Sequence, residues 1–424
     1  MNTRFYNARI LTVSDCEIKL GEVWVEGSKI AYCGEKKASD ITFDREIDLD
    51  GNVIMPSFKN AHTHSAMTFL RSYADDLPLD EWLHTAVFPM EAKLTGEDVY
   101  WLTKLAVMEY LTSGTSACFD MYMKLEDAAK AVTECGFRMV MSGAVNNFND
   151  DALGDLEKYY NRFNNYNELV SYKLGFHAEY TTSINILEGI SEIAHKYKAP
   201  VYAHNSETAS EVKGCIDRYG KTPTELMESL GLFDFGGGGY HCVHMSQNDL
   251  DIFKQRGLYA VTNPASNCKL ASGIAPLAKM SQMGIRLAIG TDGPASNNAL
   301  DMFREMYLAY ALQNISCCNA AAFSPYELLK MATSGGAMAM GLESCDDIAV
   351  GKSADLIVID LKQPNMQPLN NIPKNIVYSG SKQNVVLTMV NGRILYENGI
   401  FNINADPQEI YSKSNEITER IKTS

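Results

Sequence analysis

Residues 53 to 65 read VIMPSFKNAHTHS, an apolar run that begins at Val53, Ile54 and Met55 and ends in two histidines, His62 and His64. Alternate residues of a β-strand face the same side, so a strand here projects both imidazoles into one space, an arrangement that suits a single metal ion. A bare His-x-His is as often a surface or capping pair, because the pattern is only three residues long. The rest of the chain decides between the two readings.

From about Ile54 to Ala339, strand-like runs alternate with helix-like ones, the order that favours a parallel sheet covered by helices. After the first strand come Thr115–Met121, Arg138–Val145, Tyr172–His177, Pro200–His204, Gly239–His244, Leu258–Thr262 and Arg286–Thr291. Amphipathic stretches such as Asp98–Leu111 and Asn185–Tyr197 lie between them. This predicts an α/β fold with a (β/α)8 TIM-like barrel. His62, His64, His177, His204, His241 and Asp292 each fall at or just after the end of a predicted strand, where barrel enzymes carry their catalytic groups. Five of the eight histidines in the chain belong to that set, more than scatter over helices and loops would place there.

The two ends of the chain have a different grammar. Val23, Val25, Glu26-Gly27, Ile30 and Tyr32 read as a hairpin, and Val390–Gly399 carries an Asn391-Gly392 turn between two strand-like runs. The expected division is residues 1–52 as the first part of a small β-sandwich, 53–344 as a metal-dependent barrel, and 345–424 as the rest of the sandwich. This last part re-enters through the run LIVIDL and ends in an amphipathic tail helix bearing Ile410, Ile417 and Ile421.

A formal net charge of −15 gives no basic footprint for nucleic acid or anionic lipid. No uninterrupted apolar stretch approaches the ~18 residues of a membrane helix, and the N-terminus lacks the apolar centre of a signal peptide. Ten cysteines without a Cys-x-x-Cys pair read as reduced thiols. The expectation is a cytoplasmic protein acting on a small molecule, with no nucleic acid or membrane partner; self-association into a homo-oligomer is left open.

A metal that activates water needs a few nitrogen or oxygen ligands and one open position. His62 and His64 from strand one, His204 from strand five and Asp292 from strand eight supply them. Glu207 lies one helical turn past His204 and can face the same cavity without binding metal, and His241 can hydrogen-bond the same water. One buried histidine is most often structural, but six such residues converging by accident would be rare. His177-Ala178-Glu179 imitates the His-x-Glu of cytidine-type zinc deaminases, yet the Pro-Cys-x-x-Cys they require is missing.

The ordered series His62-Thr63-His64, His204-Asn205-Ser206-Glu207, His241-Cys242-Val243-His244, NPASNCKL from Asn263, and Thr291-Asp292-Gly293 with Ser296-Asn297-Asn298 resembles the amidohydrolase superfamily. Within it, the series is most similar to the 5'-methylthioadenosine/S-adenosylhomocysteine deaminase group. The resemblance implies one zinc ion, with iron as the alternative, on His62, His64, His204 and Asp292. It implies hydrolytic deamination of the adenine base of a free nucleoside, with Glu207 carrying protons to the ring, His241 orienting the water and Asp292 accepting its proton. It further implies a nucleoside pocket containing Trp82, Glu91, His177 and Ser296, in which Glu91 grips the ribose hydroxyls.

One departure bears on the substrate. Relatives that accept S-adenosylhomocysteine bring arginines from the loop after strand three, whereas here that loop reads SGAVNNFNDDALGD and offers Asp150, Asp151 and Asp155 instead. The expectation is a preference for adenosine or a nucleoside with a small neutral 5' group. The rivals are another hydrolase on the same scaffold, such as a guanine deaminase or chlorohydrolase-type enzyme, and, more remotely, a non-catalytic scaffold protein.

Overall fold

The computed structural model describes residues 1–423 apart from 39, 40, 74, 78 and 150. Its centre is a parallel barrel whose strands run Phe58–Thr63, Thr115–Tyr122, Arg138–Gly143, Val170–Tyr172 with Leu174–Ala178, Val201–Asn205, Gly237–His241, Tyr259–Thr262 and Arg286–Ile289. The fourth strand is broken at Lys173, which divides the hydrogen-bonded ladder into arcs of four and five strands. Lys173 N and His177 N donate to Met141 and Val145 carbonyls and carry the curvature across the break. Nearly every residue of these strands is buried, as both faces of a barrel strand are covered. Inside, Phe119, Tyr202 and Tyr240 interleave with Ala61, Ala117 and Ala288, and Ala339 and Met340 of the last barrel helix pack into the same cluster.

The opening run is two strands. Val53–Pro56 pairs antiparallel with Leu356–Ile359 and parallel with Arg9 and Ile10, in the small sheet. Only Phe58–Thr63 pairs with the second barrel strand. The chain changes sheets at Ser57, whose N–H and hydroxyl both donate to the Asp355 carbonyl, one residue after a proline with no N–H to give. At the other seam, Gly290 lets strand eight meet strand one. A Cβ there would lie 2.6 Å from His62 N and 2.7 Å from His62 O. Thr291 N and Asp292 N instead donate to His62 O and close the barrel.

The small sheet takes nine strands from both ends of the chain, eight in one path and Arg45–Asp48 beside the first strand, off that path. It curls until the turn at Gly27 touches the turn at Gly392, enclosing Phe5, Val23, Ile30, Leu356 and Leu387. The tail forms the helix Pro407–Thr423, with Ile410, Ile417 and Ile421 buried beneath it. Among the described residues no helix is long and apolar enough to cross a membrane.

Candidate metal and active site

Strand ends place the site. His62 stands in strand one and His64 just after it, their ring centroids 4.9 Å apart. His204 and His241 end strands five and six, and Asp292 follows strand eight. His241 (φ 68°), Asp292 (φ 60°) and Ser206 (φ 53°) all have left-handed backbones that L-residues disfavour, so the chain holds strain where these strands turn into loops. One ligand atom each from His62, His204, His241 and Asp292 lie within 4.8 Å of one another. His64 stands beside this group, with Nε2 3.1 Å from Asp292 Oδ1, while His62 Nε2 is 3.5 Å from the same oxygen.

Each remaining imidazole is oriented through its far nitrogen. Nδ1 of His64 donates to the Met121 carbonyl (2.5 Å), that of His204 to the His177 carbonyl (2.6 Å), and that of His241 to Asn267 Oδ1 (2.7 Å). Nε2 is thereby the nitrogen that each turns toward the cluster. His62 has neither nitrogen hydrogen-bonded, although it is fully buried and its ring stacks on Tyr240 at 3.7 Å. A buried polar atom without a partner costs about 1–3 kcal/mol, and a cation among these donors would supply one. Burial pushes the His62 pKa down to about 3 and that of His204 well below the usual value, which keeps both neutral as ligands must be. Burial opposes ionisation of Asp292 too, but the imidazoles of His62 and His64 beside it outweigh it and hold the carboxyl well below the usual range. Burial also disfavours the charged His64, yet Asp292 raises it to about 9. The donor set, three or more imidazoles with one carboxylate, fits a divalent metal ion.

Glu207 is buried beside this group, with Oε2 3.6 Å from His241 Nε2 and Oε1 accepting from the Ser272 hydroxyl (3.0 Å). Burial raises its pKa, the direction a proton donor near neutrality needs. Its backbone is fixed by Glu211, whose carboxylate accepts from the N–H groups of Ser206 and Glu207 as part of a capping box with Thr208.

A cavity of about 610 Å³ opens from the cluster and is lined by Trp82, Glu91, His177 and Ser296 among others. Glu91 is buried, its Oε1 without a partner, and burial raises its pKa to about 7. Burial lowers His177 to about 4, and its Nδ1 meets the Thr181 hydroxyl at 3.0 Å. Ser296 lines the wall while its hydroxyl donates to Asp292 Oδ2 at 2.7 Å.

The sequence reading missed four participants. Ser266 donates to Asp292 Oδ2 (2.6 Å), Asn267 and Ser272 hold His241 and Glu207, and Lys124 lines the cavity. The first three lie in or just beyond the motif NPASNCKL, which carried the resemblance without assigned roles. Lys124 follows the end of strand two, outside the strand-three loop that lacks arginine. In that loop Asp155 also lines the cavity, whereas Asp150 lies outside the described residues.

The match to the Amidohydrolase family extends over residues 53–395, and the chain belongs to that family. Over 405 residues it is 38% identical to a 5-methylthioadenosine/S-adenosylhomocysteine deaminase of Caldanaerobacter subterraneus subsp. tengcongensis, covering 94% of this chain and 93% of that one. It is 39% identical over 400 residues to a 5'-deoxyadenosine deaminase of Methanosarcina acetivorans, covering 92% of each. Among solved structures, an adenosine deaminase from Xanthomonas campestris with bound zinc superposes with a TM-score of 0.94 at 29% identity, over 100% of this chain and 99% of that one.

Proposed function

We propose that this chain hydrolyses the amino group from the adenine base of a free nucleoside, giving the inosine analogue and ammonia. The observation that carries this reading is the buried Glu207 carboxyl beside the histidine and aspartate cluster, at the head of a cavity that also presents the unpartnered carboxyl of Glu91. In this reading His62, His64, His204 and Asp292 hold one zinc ion, with iron as the alternative. Such an ion, when bound, would supply the Lewis acidity that brings a water's pKa toward neutrality. Asp292 accepts a proton from the attacking water. Glu207 delivers its own proton to the ring nitrogen beside the amidine carbon, the departing amine takes the proton held by Asp292, and Glu207 recovers one from the added hydroxyl. His241, fixed by Asn267, steadies the charge that develops on the added oxygen. Trp82 and His177 wall the base, and Glu91 accepts the ribose hydroxyls. Ten free cysteines are in keeping with a cytoplasmic setting.

Incubating purified protein with adenosine, 5'-methylthioadenosine, guanine and a chlorinated triazine, and following ammonia release, tests this directly. Turnover of adenine nucleosides is expected. Turnover of guanine or the triazine alone would assign the site to another hydrolase of the same family. No turnover of any of them by zinc-loaded protein would favour a non-catalytic role.

A further inference from the structure

One short segment touches Asp292 and Glu207, the two groups that handle protons, and also His241. It begins at Asn263, where strand seven ends, forms the helical turn Pro264–Lys269, and continues to Ser272. Ser266 donates to Asp292 Oδ2 at 2.6 Å, Asn267 Oδ1 accepts from His241 Nδ1 at 2.7 Å, and Ser272 donates to Glu207 Oε1 at 3.0 Å. All three side chains are buried. The segment is also internally tied, because Ser272 N donates to the Asn267 carbonyl at 2.9 Å and His244 Nε2 donates to the Ser272 carbonyl at 2.7 Å. Glu305 then joins it to the loop after strand eight. It accepts from Ala265 N (2.9 Å) and from the Asn297 amide (2.7 Å), which also donates to the Thr291 carbonyl next to Asp292.

We propose that Ser266–Ser272 is a single positioning arm that sets the orientation of Asp292, His241 and Glu207 together, although none of its side chains contacts the reacting atoms. Asp292 has one oxygen facing His62 and His64, and on the other Ser266 joins Ser296 in stopping the carboxylate from rotating out of register. Glu207 reaches its place through a flexible side chain, and within the protein Ser272 is the only hydroxyl that donates to its carboxyl among the described residues. Removing an outer hydrogen bond of this kind costs roughly 10–100-fold in metal affinity or in activity. The two serines should therefore fail differently.

The activity half of the test rests on the deaminase reading, and the metal half does not. Ser266→Ala should weaken zinc binding roughly 10–100-fold in competition with a chromogenic chelator, with no substrate present. Ser272→Ala should leave zinc affinity and KM for adenosine unchanged while kcat falls roughly 10–100-fold, and Ser272→Thr, which keeps the hydroxyl, should recover it. In a Glu207→Gln background Ser272→Ala should cost nothing further, because the hydroxyl acts only through that carboxyl. Should the alanine variant not fold, Ser272→Cys, near in shape and a weak donor, carries the same expectation. Unchanged zinc affinity in Ser266→Ala would overturn the arm. So would wild-type kcat in Ser272→Ala, or an equal loss on top of Glu207→Gln. If the wild-type protein turns over no adenine nucleoside, the functional reading fails while the chelator competition still decides the Ser266 half.

Discussion

Asp292 is the most heavily engaged side chain of the site, with one oxygen shared by His62 and His64 and the other by Ser266 and Ser296. His204→Ala and Asp292→Ala should each lower bound zinc and abolish turnover, measured by metal analysis alongside ammonia release. Glu207→Gln should keep metal and shape while turnover falls by roughly 100-fold or more, and a fully active variant would remove Glu207 from the mechanism. The histidines and Asp292 were legible because rare side chains fell at successive strand ends. Ser266 and Ser272 were not, since serine is common and a hydroxyl acquires meaning only from what it faces. On the cavity wall, Glu91 should make 2'-deoxyadenosine a poorer substrate than adenosine. An unpaired buried carboxyl costs on the order of 1–3 kcal/mol, or about ten- to a hundredfold in kcat/KM. Asp155 is on the same wall and the strand-three loop has no arginine, so neutral 5' analogues should lead S-adenosylhomocysteine. Lys124 is the cation that could narrow that gap. Lys124→Ala should lower kcat/KM for S-adenosylhomocysteine and leave adenosine unaffected, and equal effects on both would detach Lys124 from the 5' group.

At the scale of elements, strand order and helix positions could be read from periodicity, and the strand ends coincide with the predicted ones to within a few residues. The division of the first run at Ser57 could not, because Val53–Pro56 and Phe58–Thr63 are separated by one residue, are both fully buried, and part company only in which distant strand they meet. The left-handed backbones of His241 and Asp292 have no signature in side chains that normally avoid that region. The cap that holds Glu207 is different, for Thr208 followed three residues later by Glu211 is a pattern visible in the sequence. Gly290 offers a test of barrel closure that leaves every polar group in place. Gly290→Ala would bring a methyl group to 2.6 Å from His62 N and from Asn263 Oδ1, so the seam must open. Overpacking of this kind costs typically about 1–3 kcal/mol, and because the displaced residue is His62, zinc affinity should fall together with stability. A fall in denaturation midpoint with unchanged zinc affinity would show that the seam relaxes away from the metal site.

Across the whole molecule, the two sheets are joined beneath the barrel by a buried charge cluster. Asp355, at the re-entry of the small sheet, lies 3.2 Å from the Arg138 guanidinium of barrel strand three, with both side chains nearly inaccessible. Lys59 of strand one is also fully buried and donates to the carbonyl and hydroxyl of Ser57. The apolar run after Asp355 was legible as a returning strand, but its carboxylate was not legible as a partner of Arg138, 217 residues away in the chain. Burial would raise the Asp355 pKa, yet Arg138 and Lys59 outweigh it and hold the carboxyl below its usual value. A depressed folded pKa means stability that is present above the unfolded value of roughly 3.9 and is lost as pH falls through the folded one. Asp355→Asn leaves buried cations without their counter-charge, so it should destabilise the protein by about 3–5 kcal/mol near neutral pH. That penalty should begin to shrink below about pH 4, where the unfolded wild-type carboxyl takes up a proton, and continue to shrink as pH falls through the depressed folded value. Chemical denaturation of both proteins across that range measures the difference. A penalty independent of pH would assign the effect to lost shape and hydrogen bonding, and a negligible one would mean that the sheets are held together by their apolar contacts alone.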